Sequence, residues 1–282
     1  MPRTSKRVRI AEPCQVPELP NLVTLQGTYL KWHVSLRAKS KMPDQKRGDV
    51  IGFSAASRLR LMKWFNTLDW ENAMPAIFIT LTFPDDVTII SKYALNMYRW
   101  RWWRYLEKHL GKKVCGVWRV EWKPRLTGKW VGKHYPHFHL MIFRTRYVPK
   151  ELITGWWEKT LNVEKAVTHV QAIENNRMCG AYISKYVAKA PDELVINAYL
   201  NSQPTGRNWG FFRKNLIPLS EKYVVALAES EEVRLAKERA LNDKPEFNKW
   251  GTESFSLLGP MALIIAGMIF GDDEVDVKLP RG

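Results

Sequence analysis

Residues 136–143 read PHFHLMIF, and the two histidines that open the run, His137 and His139, are separated by one residue. A strand turns alternate side chains to opposite faces, so both imidazoles fall on one face, about 7 Å apart along the chain. Working outward, residues 114–122 (VCGVWRVEW) read as a preceding strand. Residues 124–133 between them carry one proline and two glycines, the composition of a hairpin loop. Residues 77–83 (IFITLTF) alternate Ile77, Ile79, Leu81 and Phe83 against Phe78, Thr80 and Thr82, and Pro84 stops them; residues 167–173 (VTHVQAI) form another alternating strand. Helical spacing is predicted over 54–68, with Ser54 as cap and Leu59, Met62 and Phe65 as apolar positions, and over 91–110. Further helices are predicted over 148–161, 178–190 and 220–241. Hairpin-linked strands mixed with helices predict an α+β fold, a central antiparallel sheet with helices packed on one face, followed by a helical C-terminal region. The expected organisation is a flexible basic arm over 1–20, one domain over 21–220 that holds the strands above, and a C-terminal extension over 221–282.

The 282 residues include 44 Lys+Arg against 28 Asp+Glu, a formal charge of +16. This charge points to a polyanionic partner, which it attracts while displacing counterions; nucleic acid is the favoured reading and an anionic membrane surface the competing one. Thirteen tryptophans exclude a disordered chain, which is poor in aromatics. Cys14, Cys115 and Cys179 are an odd set with no CxxC spacing, so neither a disulfide framework nor a zinc ribbon follows. The basic start, MPRTSKRVRI, has no apolar stretch behind it, and the expected setting is the cytoplasm. Residues 257–270 (LLGPMALIIAGMIF) are uncharged but shorter than the roughly 20 residues that span a bilayer, so a buried or interfacial segment is expected rather than a membrane anchor. No GxxxxGK[ST] is present, so no helicase module is expected.

Two imidazoles on one strand face can chelate a divalent ion. Glu121, on the preceding strand, stands where a carboxylate completes the set. Two nitrogens and one oxygen suit Mn²⁺, tolerate Mg²⁺, and do not exclude zinc. His169 lies on the next strand, within reach of the same face or simply exposed. A lone HxH is more often structural than ligating, so the pair by itself decides nothing.

In MCGAYISKYVAKA (178–190), Tyr182 and Tyr186 are four apart and share a helix face. Lys185 and Lys189 each follow a tyrosine by three. A phenol titrates near pH 10 and is a poor nucleophile at neutral pH; a neighbouring ammonium favours the phenolate or steadies a phosphate under attack. The competing reading is an amphipathic helix with tyrosines packed and lysines solvated.

Taken in order, FITLTF (78–83), PHFHLMIF (136–143) and YISKYVAK (182–189) resemble the three motifs of the HUH superfamily of single-strand endonucleases, and more narrowly the rolling-circle replication initiators of single-stranded DNA phages and plasmids. GRNWGFF (206–212) is similar to a segment found downstream in these initiators, and the resemblance covers roughly residues 75–220. It implies a ferredoxin-like or RRM-like palm and a metal, Mg²⁺ or Mn²⁺, held by Glu121, His137 and His139. It further implies nicking of single-stranded origin DNA by Tyr186 first and Tyr182 second. The products are a 5′-phosphotyrosine and a 3′-hydroxyl that primes a polymerase. A host helicase and a host DNA polymerase would be partners.

For DNA contact, Lys123, Arg125, Lys129 and Lys133 flank the predicted hairpin, and Arg207, Arg213 and Lys214 lie downstream. The run Tyr98–Arg104 offers aromatics and cations, yet consecutive helical positions cover every side, so part of it belongs to the core. Two rivals stand beside the initiator: a transposase or relaxase with the same chemistry, and a non-catalytic basic nucleic-acid-binding protein.

Overall fold

The computed structural model describes residues 21–33, 53–87, 92–129, 131–132, 134–173, 207–228, 230–242 and 254–270. They divide into two units, each with its own sheet: one drawn from residues 44–220, the other from 21–33 together with 221–270.

The larger unit begins with α1 (Ala55–Phe65), whose first turn is capped by Ser54 Oγ accepting from the Ser57 amide. The capping follows the sequence reading. The buried face differs from it: Leu61 and Phe65 point inward and Leu59 is exposed. A short α2 (Trp70–Ala73), capped by Asp69, leads into β3 (Ala76–Thr82). After α3 (Lys92–Leu110), the chain forms β4 (Cys115–Pro124) and β5 (His134–Phe143), then α4 (Lys150–Leu161), β6 (Val167–Ile173) and, further on, β7 (Trp209–Phe212). The five strands are antiparallel to their neighbours in the order β6-β3-β5-β4-β7.

Strand alternation sorts the two faces. Ile77, Ile79 and Leu81, Phe138, Leu140 and Ile142, and Trp118 and Val120 meet α3 and α4 in the main core. On α3 the inward residues are Leu95, Arg99, Trp102, Trp103 and Leu106, while Trp100, Arg101 and Arg104 face solvent; the basic-aromatic run is therefore split between core and surface. The opposite face is apolar only at one end, where Phe78, Val117, Met141 and Phe143 receive Leu61 and Phe65 of α1. The sheet thus has its two long helices on one face, as expected. The short α1 covers the apolar end of the other face, and the rest of that face carries polar and charged side chains.

Residues 207–212 (RNWGFF) close the β4 edge. The Val120 amide donates to Asn208 O, Phe212 stacks on Trp103 with centroids 3.6 Å apart, and Gly210 lies flat against the Trp118 indole, where a Cβ would stand 2.8 Å from the ring.

The smaller unit corrects the expected organisation. The hairpin β1 (Asn21–Gln26) and β2 (Tyr29–His33), expected within the same domain as the histidine strand, pairs instead with two C-terminal strands. These are β8 (Lys222–Leu227) and β9 (Ser254–Leu258), and the sheet runs β8-β1-β2-β9. The continuous helix expected over 220–241 is a strand followed by α5 (Glu231–Asn242): Tyr223, Val224 and Val225 have strand propensity, and β1 supplies an edge to pair with. The C-terminal region is therefore mixed rather than helical. In the apolar segment 257–270, Leu257 and Leu258 end β9, Gly259 turns the chain at φ 66°, and Pro260 opens α6 (Pro260–Phe270). Ala262, Ile265 and Ala266 of α6 pack with Val23, Leu30, Trp32 and Phe255. Among the described residues, no helix is long and apolar enough to cross a membrane.

Candidate metal and phosphate face

Two rows of side chains run across the polar half of the larger sheet. In one, Glu121 of β4, His137 of β5 and Thr82 of β3 are register partners. In the next, Trp209, Arg119, His139, Thr80 and His169 follow one another across all five strands. Register partners point to the same face, so the ladder alone gathers three imidazoles, one carboxylate and one guanidinium. The nine-residue loop between β4 and β5 does not separate Glu121 from the histidines, because the two strands pair along their whole lengths.

Contacts fix each group. Thr80 Oγ1 lies 3.1 Å from His139 Nδ1 and Thr82 Oγ1 lies 3.0 Å from His137 Nδ1. His139 Nε2 lies 2.7 Å from Glu121 Oε2, and Lys123 Nζ lies 3.1 Å from the same oxygen. The His139 ring also stacks on Phe78, with centroids 5.8 Å apart, and is 5 % exposed. Arg119, 8 % exposed, lays its guanidinium over the Phe53 ring at 4.4 Å, and its Nε and Nη1 have no hydrogen-bond partner among the described residues. The strand is anchored from behind, where Trp157 Nε1 on α4 donates to Thr82 O at 2.8 Å.

Burial sets the protonation. Desolvation pushes His137 down to about 4, with His139 and Lys123 adding to the effect, so its imidazole is neutral at physiological pH. Desolvation also pulls His139 down, against the Glu121 carboxylate. Burial alone would raise the Glu121 carboxyl, but the His139 hydrogen bond and the Lys123 ammonium override it and hold the group well below the usual carboxylate range. The result is two neutral imidazoles beside an ionised carboxylate.

That donor set fits a divalent cation. A threonine hydroxyl both donates and accepts. It can therefore take Nδ1–H from an imidazole whose Nε2 lone pair faces a metal, or give its own proton to Nδ1 when Nε2–H bonds Glu121. Among the described residues, no three His, Cys, Asp or Glu side chains already converge as a metal cage; Glu121 contacts His139 directly. A cation would take the place of that hydrogen bond.

The other candidate residues divide. Arg125 bonds Asp85 at 3.2 Å, donates to Phe83 O and lies over the Tyr135 ring, so it ties the hairpin loop to the end of β3. The Lys129 amide bonds the same Asp85, and the Lys129 side chain is exposed. Arg213 is taken up by Glu107 in two hydrogen bonds, of 3.1 and 3.0 Å. Lys214 lies 5.4 Å over the Phe211 ring, and Arg207 is exposed beside β7. His169 is exposed at the far end of its row. Tyr182, Tyr186, Lys185, Lys189 and Lys133 lie outside the described residues. Sequence reading missed Thr80, Thr82 and Arg119. The signal was present: Arg119 precedes Glu121 by two on a strand, and TLT has the same spacing as HFH.

A search among curated proteins and one among solved structures returned no match. Residues 76–191, which take in β3 through β6, match the family model described as replication-associated protein ORF2/G2P.

Proposed function

We propose that the chain is a replication initiator that nicks and rejoins single-stranded DNA through a tyrosine. The observation that carries this reading is the cluster of Glu121, His137 and His139 on the polar half of the sheet, with each imidazole bonded through Nδ1 to a threonine beside it on β3. The match of residues 76–191 to a replication-associated family supports the replication role. Glu121, His137 and His139 would hold Mg²⁺ or Mn²⁺, which when bound would polarise the scissile phosphate.

In the reaction, the Tyr186 hydroxyl oxygen forms a bond to phosphorus as the bond from phosphorus to the 3′ oxygen breaks. The phenolic proton leaves to solvent, and the departing 3′ oxygen takes up a proton. Phosphate ester number is conserved, so the 5′-phosphotyrosine keeps the energy needed for a later 3′-hydroxyl to reseal the strand. Tyr182 would serve the second cut, with Lys185 and Lys189 offsetting negative charge on phenolate and phosphate. Arg119 and Lys123 would supply cationic charge beside the same phosphate.

The test is incubation of the full chain with labelled single-stranded origin DNA and Mn²⁺, followed by mass-spectrometric mapping of the adduct. A DNA–tyrosine link at Tyr186 or Tyr182, lost in the Tyr182→Phe/Tyr186→Phe double variant, is the expected result. DNA binding with no adduct across candidate origins and metals overturns the proposal.

A further inference from the structure

Strand β4 carries chemistry on both faces. Glu121 and Arg119 face the histidines, whereas Trp118, Val120 and Trp122 face α3. Between that second face, the first turns of α3 and the start of the β7 segment lies a cavity of about 40 Å³, on which Lys92, Asn96, Arg99, Trp122, Arg207 and Asn208 open. No acidic side chain lines it among the described residues.

Arg99 is the unusual member. It is 6 % exposed, its Nη2 donates to Asn96 Oδ1 at 2.8 Å, and its guanidinium carbon sits 3.4 Å over the Trp118 ring. Its Nε is buried with no hydrogen-bond partner among the described residues. A buried guanidinium that lacks an anion is costly, and the indole face offsets only part of that cost. Burial first, and the like charge of Arg207 second, push Arg99 down to about 9. Lys92 adds a third cation at the N-terminal end of α3, whose first turn carries no acid and whose dipole is positive there. Such an arrangement is destabilising by itself and stabilising once an anion enters.

Size selects the anion. A water needs roughly 10–15 Å³ by this measure of volume. The cavity therefore takes a tetrahedral oxyanion and excludes a nucleobase. We infer that the Arg99–Lys92–Arg207 cavity is a binding site for a single phosphate group, on the sheet face opposite the histidines. Free phosphate and a backbone phosphate of bound single-stranded DNA present the same chemistry, and the site receives one of the two.

Arg99→Ala opens the core, so the rim residues Lys92 and Arg207, both exposed, carry the test. The thermal midpoint of the full chain is followed as inorganic phosphate replaces chloride at matched ionic strength. Binding of a fluorescent single-stranded oligonucleotide is followed across a salt series. Lys92→Ala/Arg207→Ala is compared with wild type and with Arg101→Ala/Arg104→Ala, which removes two exposed charges of the same helix outside the cavity. Saturable stabilisation by phosphate, weakened about tenfold or more in the rim variant alone, identifies free phosphate. No phosphate effect, but a salt slope lowered by about 0.7 per lost contact in the rim variant alone, identifies the DNA backbone. If the rim variant matches wild type in both assays, or matches the control variant, the inference is overturned. Neither readout requires nicking, so failure here is separable from failure of the tyrosine chemistry.

Discussion

Glu121 stands directly opposite His137 in the β4–β5 ladder, yet its carboxylate reaches diagonally to His139, 2.7 Å from Nε2. The carboxylate thus bridges His139 and Lys123, in the row that it shares with His137. A divalent cation entering this corner would exchange one hydrogen bond for three ligand bonds. Replacing any one of Glu121, His137 or His139 with alanine is expected to lower Mn²⁺ affinity by more than the 10–100-fold typical of losing an outer partner. Titration calorimetry with Mn²⁺ measures it, and chelation is expected to remove adduct formation from wild type. Unchanged affinity in all three variants would remove these residues from any metal site.

The threonines give a subtler prediction. Thr80→Val and Thr82→Val keep the shape of the side chain but delete the hydroxyl that orients Nδ1. Metal affinity is expected to fall roughly 10–100-fold in each. Thr→Ser, which restores the hydroxyl, is expected to recover most of it. A packing role alone would give the reverse order, with valine tolerated and serine the more damaging change.

Much of this face is legible in the sequence because its geometry is local. Period two places His137 with His139, and a hairpin returns Glu121 to them. The Ser54 cap and the IFITLTF strand follow from equally short-range rules. What is not legible depends on pairing at a distance. Nothing near Asn21–His33 announces that its partners begin two hundred residues later, at Lys222 and Ser254. Lys222–Leu227 lies in a charged stretch whose strand character is decided by β1, a tertiary effect that outweighs local helical spacing. Arg213 likewise reads as a phosphate contact until Glu107, over one hundred residues earlier, is seen to hold it.

That last pair predicts a pH dependence. Burial opposes ionisation of Glu107. The Arg213 hydrogen bonds and the Val114 amide outweigh it, and hold the carboxyl below its ordinary value of 4.5. A depressed folded value means that the stabilisation is complete above about 4.5 and is lost as pH falls through the lower folded value. Glu107→Gln is expected to cost up to about 1.5–3 kcal/mol near neutral pH, the worth of a hydrogen bond to a charged group. The gap from wild type should narrow steadily below 4.5. Urea denaturation across that range measures it; a constant gap would mean that the carboxylate charge contributes nothing.

Two glycines separate close packing from helix propensity. At Gly210, a Cβ would stand 2.8 Å from Trp118 Cζ2 and 3.0 Å from Cε2. The indole cannot retreat, because it is 4 % exposed and Arg99 lies against its face. Gly210→Ala must therefore displace the β7 edge, and with it Asn208, which accepts from the Val120 amide. Overpacking of this kind costs about 1–3 kcal/mol. Gly155, inside α4, has nothing within 4 Å of the added carbon. Gly155→Ala gains only the helix propensity of alanine and is expected to stabilise by up to about 1 kcal/mol. Denaturation midpoints should move in opposite directions with unchanged slopes. If Gly210→Ala were neutral, β7 would not be seated on Trp118, and the wall of the cationic cavity formed by Arg207 and Asn208 would be looser than described.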